Sequence, residues 1–128
     1  FQKRLMDCIA TPVSPGLLSS GEAGEIKQKT EDVVGPYELH DFFLYYTIRY
    51  GFAPRKIFFM AQQALDYNNE TLLKWMRNFF KRFFTQQFKR NCMPDGAKAG
   101  PLGLGPRGDW KMPSDASGRI WIAEIEKL

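Results

Sequence analysis

The sequence predicts a mainly α fold, and three stretches carry that reading. In the first, from Asn69 to Arg90, Leu72, Met76, Phe79 and Phe83 recur at +4, +3 and +4, with Leu73, Phe80 and Phe84 beside them. That spacing draws one wide apolar stripe along a 3.6-residue helix and leaves Lys74, Arg77, Asn78, Lys81 and Arg82 largely off it. The second, 36–50, lies between Gly35 and Gly51 and is apolar almost all round. The third, 54–66, starts at Pro54, a residue suited to a first turn, and carries Ile57, Phe58, Met60, Ala61, Ala64 and Leu65 as its inner face. Short connections make the three helices neighbours in space.

Taken in order, Phe1 to Ile9 reads as the last turns of a helix that the chain enters part-way, with Phe1, Leu5, Cys8 and Ile9 on one side. Thr11 to Pro15 is extended, because Pro12 and Pro15 fix their own φ and push the preceding residue out of the helical region. Leu17 and Leu18 anchor that segment, and Ser19 to Lys29 is small, polar and glycine-containing, an exposed loop. The polar cluster Gln28 to Asp32 reads as loop as well. In the second helix Leu39, Phe42, Phe43, Leu44, Tyr45, Tyr46, Ile48 and Tyr50 leave little polar surface, so it is buried on several sides or sits in an interface. Gly51 ends it in the left-handed region.

The long helix, 69–91, takes Asn68 or Asn69 as its cap, with Glu70 in the positive first turn and Lys89 and Arg90 in the negative last turn. Met93-Pro94-Asp95-Gly96 stops it. The loop 93–113 follows, with five glycines and two prolines between Gly96 and Gly108. It is either a mobile linker or a loop that closes over a ligand. A tail helix, 114–126, is capped at Ser114 or Asp115 and turns Ile120, Trp121 and Ile125 inward.

The chain has 128 residues, room for one domain with a modest core, and 44% hydrophobic residues, the composition of a folded chain. Its net charge of +4 is unevenly spread. From Leu72 to Lys98, Lys74, Arg77, Lys81, Arg82, Lys89, Arg90 and Lys98 oppose Asp95 alone, whereas 22–41 is acidic. The basic end suits phosphates, carboxylates or nucleic acid. Cys8 and Cys92 have no metal-ligand spacing and read as two reduced thiols of a cytoplasmic protein. No stretch of about 20 apolar residues is present to span a membrane, and no secretory signal is visible.

No phosphate-loop, dinucleotide-binding, zinc-protease, nucleophile-elbow or paired-cysteine motif occurs. His40, the only histidine, lies in the middle of the aromatic helix without a visible catalytic partner. A packed or edge-exposed histidine is its ordinary reading. No catalytic residue and no metal ligand is assigned. The one place suited to an anion is the end of the long helix, where Phe88-Lys89-Arg90 meets the glycine-rich loop.

Gly35-Pro-Tyr-Glu-Leu-His-Asp-Phe42, Arg49-Tyr-Gly-Phe-Ala-Pro54, Gln87-Phe-Lys-Arg90, Pro106-Arg-Gly-Asp-Trp110 and Met112-Pro-Ser-Asp115, in that order, closely resemble the C-terminal end of glutamine-dependent NAD synthetases. The resemblance runs from about Thr11 to the end of the chain. It implies the helical C-terminal part of an α/β synthetase domain of the ATP-pyrophosphatase type. In that family deamido-NAD becomes NAD: the nicotinate carboxylate is adenylylated by ATP with magnesium, pyrophosphate leaves, and glutamine-derived ammonia displaces AMP. The family's Ser-Gly-Gly-x-Asp-Ser phosphate loop and its glutaminase nucleophile are absent from these residues. This stretch alone is therefore expected to be inactive and to bind no cofactor by itself.

Residue by residue, the resemblance points to Lys89 as a deamido-NAD contact. Thr30 stands at the position of a family Asp that touches the same substrate, with Glu31 beside it. Arg90 and Arg107 are further candidate loop contacts. The chain departs from the family pattern at Gly16, Thr30, Ala97, Gly105 and Lys111. Assembly as a homo-oligomer, with the aromatic helix in the subunit interface, is also implied. Two other readings are a structural or oligomerisation helical module and a basic nucleic-acid-binding helical module. Against the latter, the phenylalanines of the long helix sit on its packing stripe.

Overall fold

The structure, a computed structural model, describes residues 2–10, 30–98 and 100–128. These residues contain seven α-helices and no strand: α1 (Gln2–Ala10), α2 (Thr30–Val34), α3 (Tyr37–Tyr50), α4 (Pro54–Ala64), α5 (Asn69–Thr85), α6 (Gln87–Asn91) and α7 (Arg119–Ile125). The mainly α fold read from the sequence is observed. The extended segment expected at 11–15, the loop at 19–29 and the departure at Gly16 lie outside the described residues. The chain divides into two units, 1–37 and 38–128.

In the first unit Leu5 and Met6 of α1 are exposed, at 49% and 59%. Of the polar cluster read as loop, Gln28 and Lys29 lie outside the described residues, and Thr30, Glu31 and Asp32 belong to the short helix α2 instead. It is closed by Gly35 at φ +92°, whose N–H donates to the Glu31 carbonyl at 2.8 Å. A non-glycine residue rarely takes that conformation, so Gly35 permits the chain to turn straight into Pro36.

The second unit is organised around α5. Leu72, Met76 and Phe80 are fully buried, and Phe79, Phe83 and Phe84 nearly so, so the apolar stripe is the core face. α5 packs against α4 and α7, which also touch each other. α3 meets α5 through rings: Phe43 lies 5.8 Å from Phe79, and His40 meets Phe79 edge-on at 5.2 Å. The inner line of α3 is Leu39, Phe43 and Thr47, one residue per turn. Its far end carries a stack in which Tyr46 and Phe52 are nearly parallel, with the Lys56 ammonium 3.5 Å from the Phe52 ring centre.

Local signals set most helix ends. Asn68 accepts the Thr71 N–H at 2.7 Å and caps α5. Gly51, at φ +64°, ends α3 with its N–H on the Thr47 carbonyl. Four sequence expectations are corrected. The helix expected over 69–91 breaks at Gln86 (φ −99°, ψ 11°) into α5 and α6. There the Thr85 hydroxyl donates back to the Lys81 carbonyl at 2.9 Å, a side-chain bond that competes with the helical ladder. In α4 Ala64 is exposed, because the helix stops at that residue and Leu65 is extended. The tail helix begins at Arg119, not at Ser114 or Asp115, since Ser114 is held by another element and Gly118 is pressed onto Phe84. With that start, Trp121 and Ile122 pack on the core, Ile125 is buried, and Ile120 points outward at 76% exposure.

Candidate functional site

The end of α5, the short helix α6 and the loop after it form the candidate anion site. Lys89 lies on the exposed side of α6, its ammonium 5.9 Å from the centre of the neighbouring Phe88 ring. It forms no ion pair among the described residues. A lysine held clear of carboxylates keeps its whole charge for an incoming anion.

Arg90, next in sequence, points the other way. Its guanidinium carbon is 4.6 Å from the centre of the Phe83 ring, and Nη2 donates to the Phe83 carbonyl. Nε and Nη2 both donate to Oε1 of Gln87, at 3.0 and 2.7 Å. Gln87 is only 2% exposed, and its amide nitrogen donates to Asn91 Oδ1 at 2.8 Å. Asn91 in turn donates to Ser114 Oγ at 2.7 Å and to the Met112 carbonyl at 3.4 Å. Burial lowers the pKa of the Arg90 guanidinium from its ordinary value. Arginine nevertheless stays protonated in proteins, so this is a permanent cation spent on the helix break.

Arg107 lies in the loop and pairs with Asp95, both well exposed. Lys98 pairs with Asp109 at 2.7 Å, and Asp109 also accepts the Gly103 N–H at 2.7 Å. The Lys98 hydrogen bond and then the Gly103 amide hold the Asp109 carboxyl below its ordinary pKa. The Asp109 N–H returns to the Gly103 carbonyl at 2.7 Å, which closes a tight turn over 103–109. A Cβ on Gly108 would collide with that carbonyl oxygen, so only glycine allows the approach. Leu104, within this turn, and Trp110, just after it, pack on the core. The loop encloses a hollow of about 480 Å³, lined among others by Met93, Asp95, Lys98, Leu104, Arg107 and Asp109.

Thr30 and Glu31 belong to the first unit, on α2. Glu31 is exposed and accepts the Tyr37 N–H at 3.3 Å, and Thr30 is half-buried. His40 packs against Phe79, and burial lowers its pKa, with the Asp41 charge raising it and the Arg82 charge lowering it less strongly. Sequence reasoning missed Gln87, Asn91 and Ser114 as parts of the site. Their signal was available only in part: 87, 90 and 91 share a helix face at i, i+3 and i+4, but nothing in the pattern names Ser114 as the next partner.

Comparison with known proteins gives the following. No family model matches the chain. A glutamine-dependent NAD(+) synthetase from Mycobacterium leprae (strain TN) is 39% identical over 98% of this chain. Proteins of the same name from Mycobacterium bovis and from Mycobacterium tuberculosis (strain H37Rv) are 37% identical over 96% of it. In each case the match covers 21% of the relative, so the chain spans about one-fifth of the length of these curated relatives.

Proposed function

We propose that this chain, a homologue of one part of glutamine-dependent NAD(+) synthetase, contributes to the deamido-NAD site and the subunit interface of such an enzyme. The reaction is the ligation of ammonia, released from glutamine, to the nicotinate carboxylate of deamido-NAD in the cytoplasm. ATP and magnesium are supplied to that chemistry elsewhere in the protein that carries this chain. Among the described residues no three His, Cys, Asp or Glu side chains cluster as metal ligands, and no helix is long and apolar enough to cross a membrane.

The observation that carries the reading is the contrast between adjacent cations. Lys89 is exposed beside the loop with its charge uncommitted, while Arg90 is committed to Phe83 and Gln87. In this role the Lys89 ammonium meets the carboxylate or the pyrophosphate of deamido-NAD, and Arg107 is a further loop contact. Tyr50, Phe59 and Ile120, exposed at 53%, 63% and 76%, support assembly into a homo-oligomer. A nucleic-acid module is disfavoured because Phe79, Phe80, Phe83 and Phe84 are at most 5% exposed and offer no ring for base stacking.

The test uses the protein that carries this chain. Lys89→Gln is expected to raise KM for deamido-NAD roughly ten- to a hundredfold, the cost of losing a charge-assisted contact. Glutamine hydrolysis should survive. Lys81→Gln, on the exposed face of α5, is expected to change neither. Equal small effects at the two positions would return α6 to a structural role.

A further inference from the structure

We propose that Arg90 is a positioning residue: through Phe83, Gln87 and Asn91 it fixes the angle of α6 and the base of the loop, and thereby the place of the Lys89 ammonium. The role rests on Lys89 being a substrate contact.

The geometry for this is specific. The long helix is interrupted at Gln86, one residue before α6, so α6 is only a single short turn and its direction is not set by a continuous ladder. A five-residue helix has little stability of its own. What spans the break is Arg90. Its guanidinium lies over the Phe83 ring and bonds the Phe83 carbonyl, on the α5 side of the break. The same guanidinium bonds Gln87 on the α6 side. Gln87 is buried, with its oxygen turned to Arg90 and its nitrogen to Asn91, so the amide cannot flip without losing both partners. Asn91 then ties α6 to Ser114 and Met112, across the span that contains the loop. Lys89 sits inside this frame, its neighbour Arg90 and the nearby Gln87 both held by their side chains.

A planar guanidinium can serve a ring face, a carbonyl and an amide oxygen together, whereas an ammonium cannot. Arg90→Lys keeps the charge and removes the frame, which makes it the informative variant. Displacement of a binding group by about 1 Å costs on the order of a hundredfold in favourable cases.

Four forms of the protein that carries this chain are compared: unsubstituted, Arg90→Lys, Lys89→Gln, and the double variant. Kinetics are read for deamido-NAD and separately for glutamine hydrolysis, with hydrogen exchange at the amides of 87–92 and 112–114. Arg90→Lys is expected to raise KM for deamido-NAD about tenfold or more, to change glutamine hydrolysis little and to speed exchange in both segments. In the Lys89→Gln background Arg90→Lys should add almost nothing, because it acts through Lys89. Multiplicative KM effects in the double variant would overturn the proposal and make Arg90 a direct contact. Unchanged exchange in Arg90→Lys would overturn it too, whatever Lys89→Gln does. A neutral Lys89→Gln, by contrast, sinks the substrate-contact reading itself, and the positioning role falls with it.

Discussion

The carboxylate of Glu124 in α7 accepts the backbone N–H of Arg55 in the first turn of α4, at 3.0 Å and 69 residues away in sequence. The residue before α4, Ala53, has no side chain able to cap it, so the last helix of the chain supplies the cap of an earlier one. A carboxylate there also meets the positive end of the helix. Glu124→Ala is expected to lower stability by about 0.5–2 kcal/mol. Glu124→Gln, which keeps an acceptor but not the charge, should lower it by less. Denaturant unfolding reads both, and equal stability of all three forms would show that α4 needs no partner at its start.

Gly118 lies against Phe84, and a Cβ built there would stand 2.6 Å from a ring carbon. The ring is 5% exposed and packed on Trp121, with centroids 4.6 Å apart, so it has little room to retreat. Gly118→Ala should destabilise by about 1–3 kcal/mol through overpacking. Trimming the ring in a Gly118→Ala/Phe84→Leu pair should give a loss smaller than the sum of the two single losses. Additive losses in this cycle would remove the steric explanation.

Thr47 is 8% exposed on the inner line of α3, and its hydroxyl has no hydrogen-bond partner among the described residues. A buried unmatched hydroxyl costs on the order of 1–3 kcal/mol. Thr47→Val keeps the shape and removes that hydroxyl, so it should raise the unfolding midpoint. A lowered midpoint would mean the hydroxyl is bonded in solution.

His40 is expected to give stability a pH dependence. Burial lowers its pKa in the folded state below 6.5, with Asp41 raising it and Arg82 lowering it less strongly. The unfolded chain therefore binds the proton more readily. The contribution is fully present above about pH 6.5 and is lost as pH falls from there through the folded pKa. His40→Gln should flatten the change in Tm between about pH 7.5 and 5.5. A variant as acid-sensitive as the unsubstituted protein would place the titration elsewhere.

Gly108 should be the least replaceable residue of the loop. A Cβ at this position would run into the Gly103 carbonyl, and backbone fixes both sides of that contact, so Gly108→Ala must open the 103–109 turn. Faster hydrogen exchange at the Asp109 amide is the expected sign. Gly96→Ala, with nothing within 4 Å, should leave that amide unchanged. Equal exchange in the two variants would mean that the turn yields without opening.

The local repeat in the sequence was enough to place the three central helices and most of their buried faces, though not α2, the break at Gln86 or the start of α7. The stripe Leu72, Met76, Phe79 and Phe83 was legible because a helix returns to the same side every 3.6 residues whatever surrounds it. Asn68 and Gly51 were legible because a cap and a left-handed stop involve only the next turn. Lys89 and Arg90 were legible as a cationic helix end, but not as opposites. Their difference depends on which face of α6 each occupies and on what packs beside it, Phe83 and Gln87 in the case of Arg90. Ser114 holding Asn91 and Glu124 capping α4 were decided only by the tertiary structure, since they meet partners 23 and 69 residues away. Periodicity records a residue's own helix face, whereas these outcomes depend on the geometry with which separate helices meet.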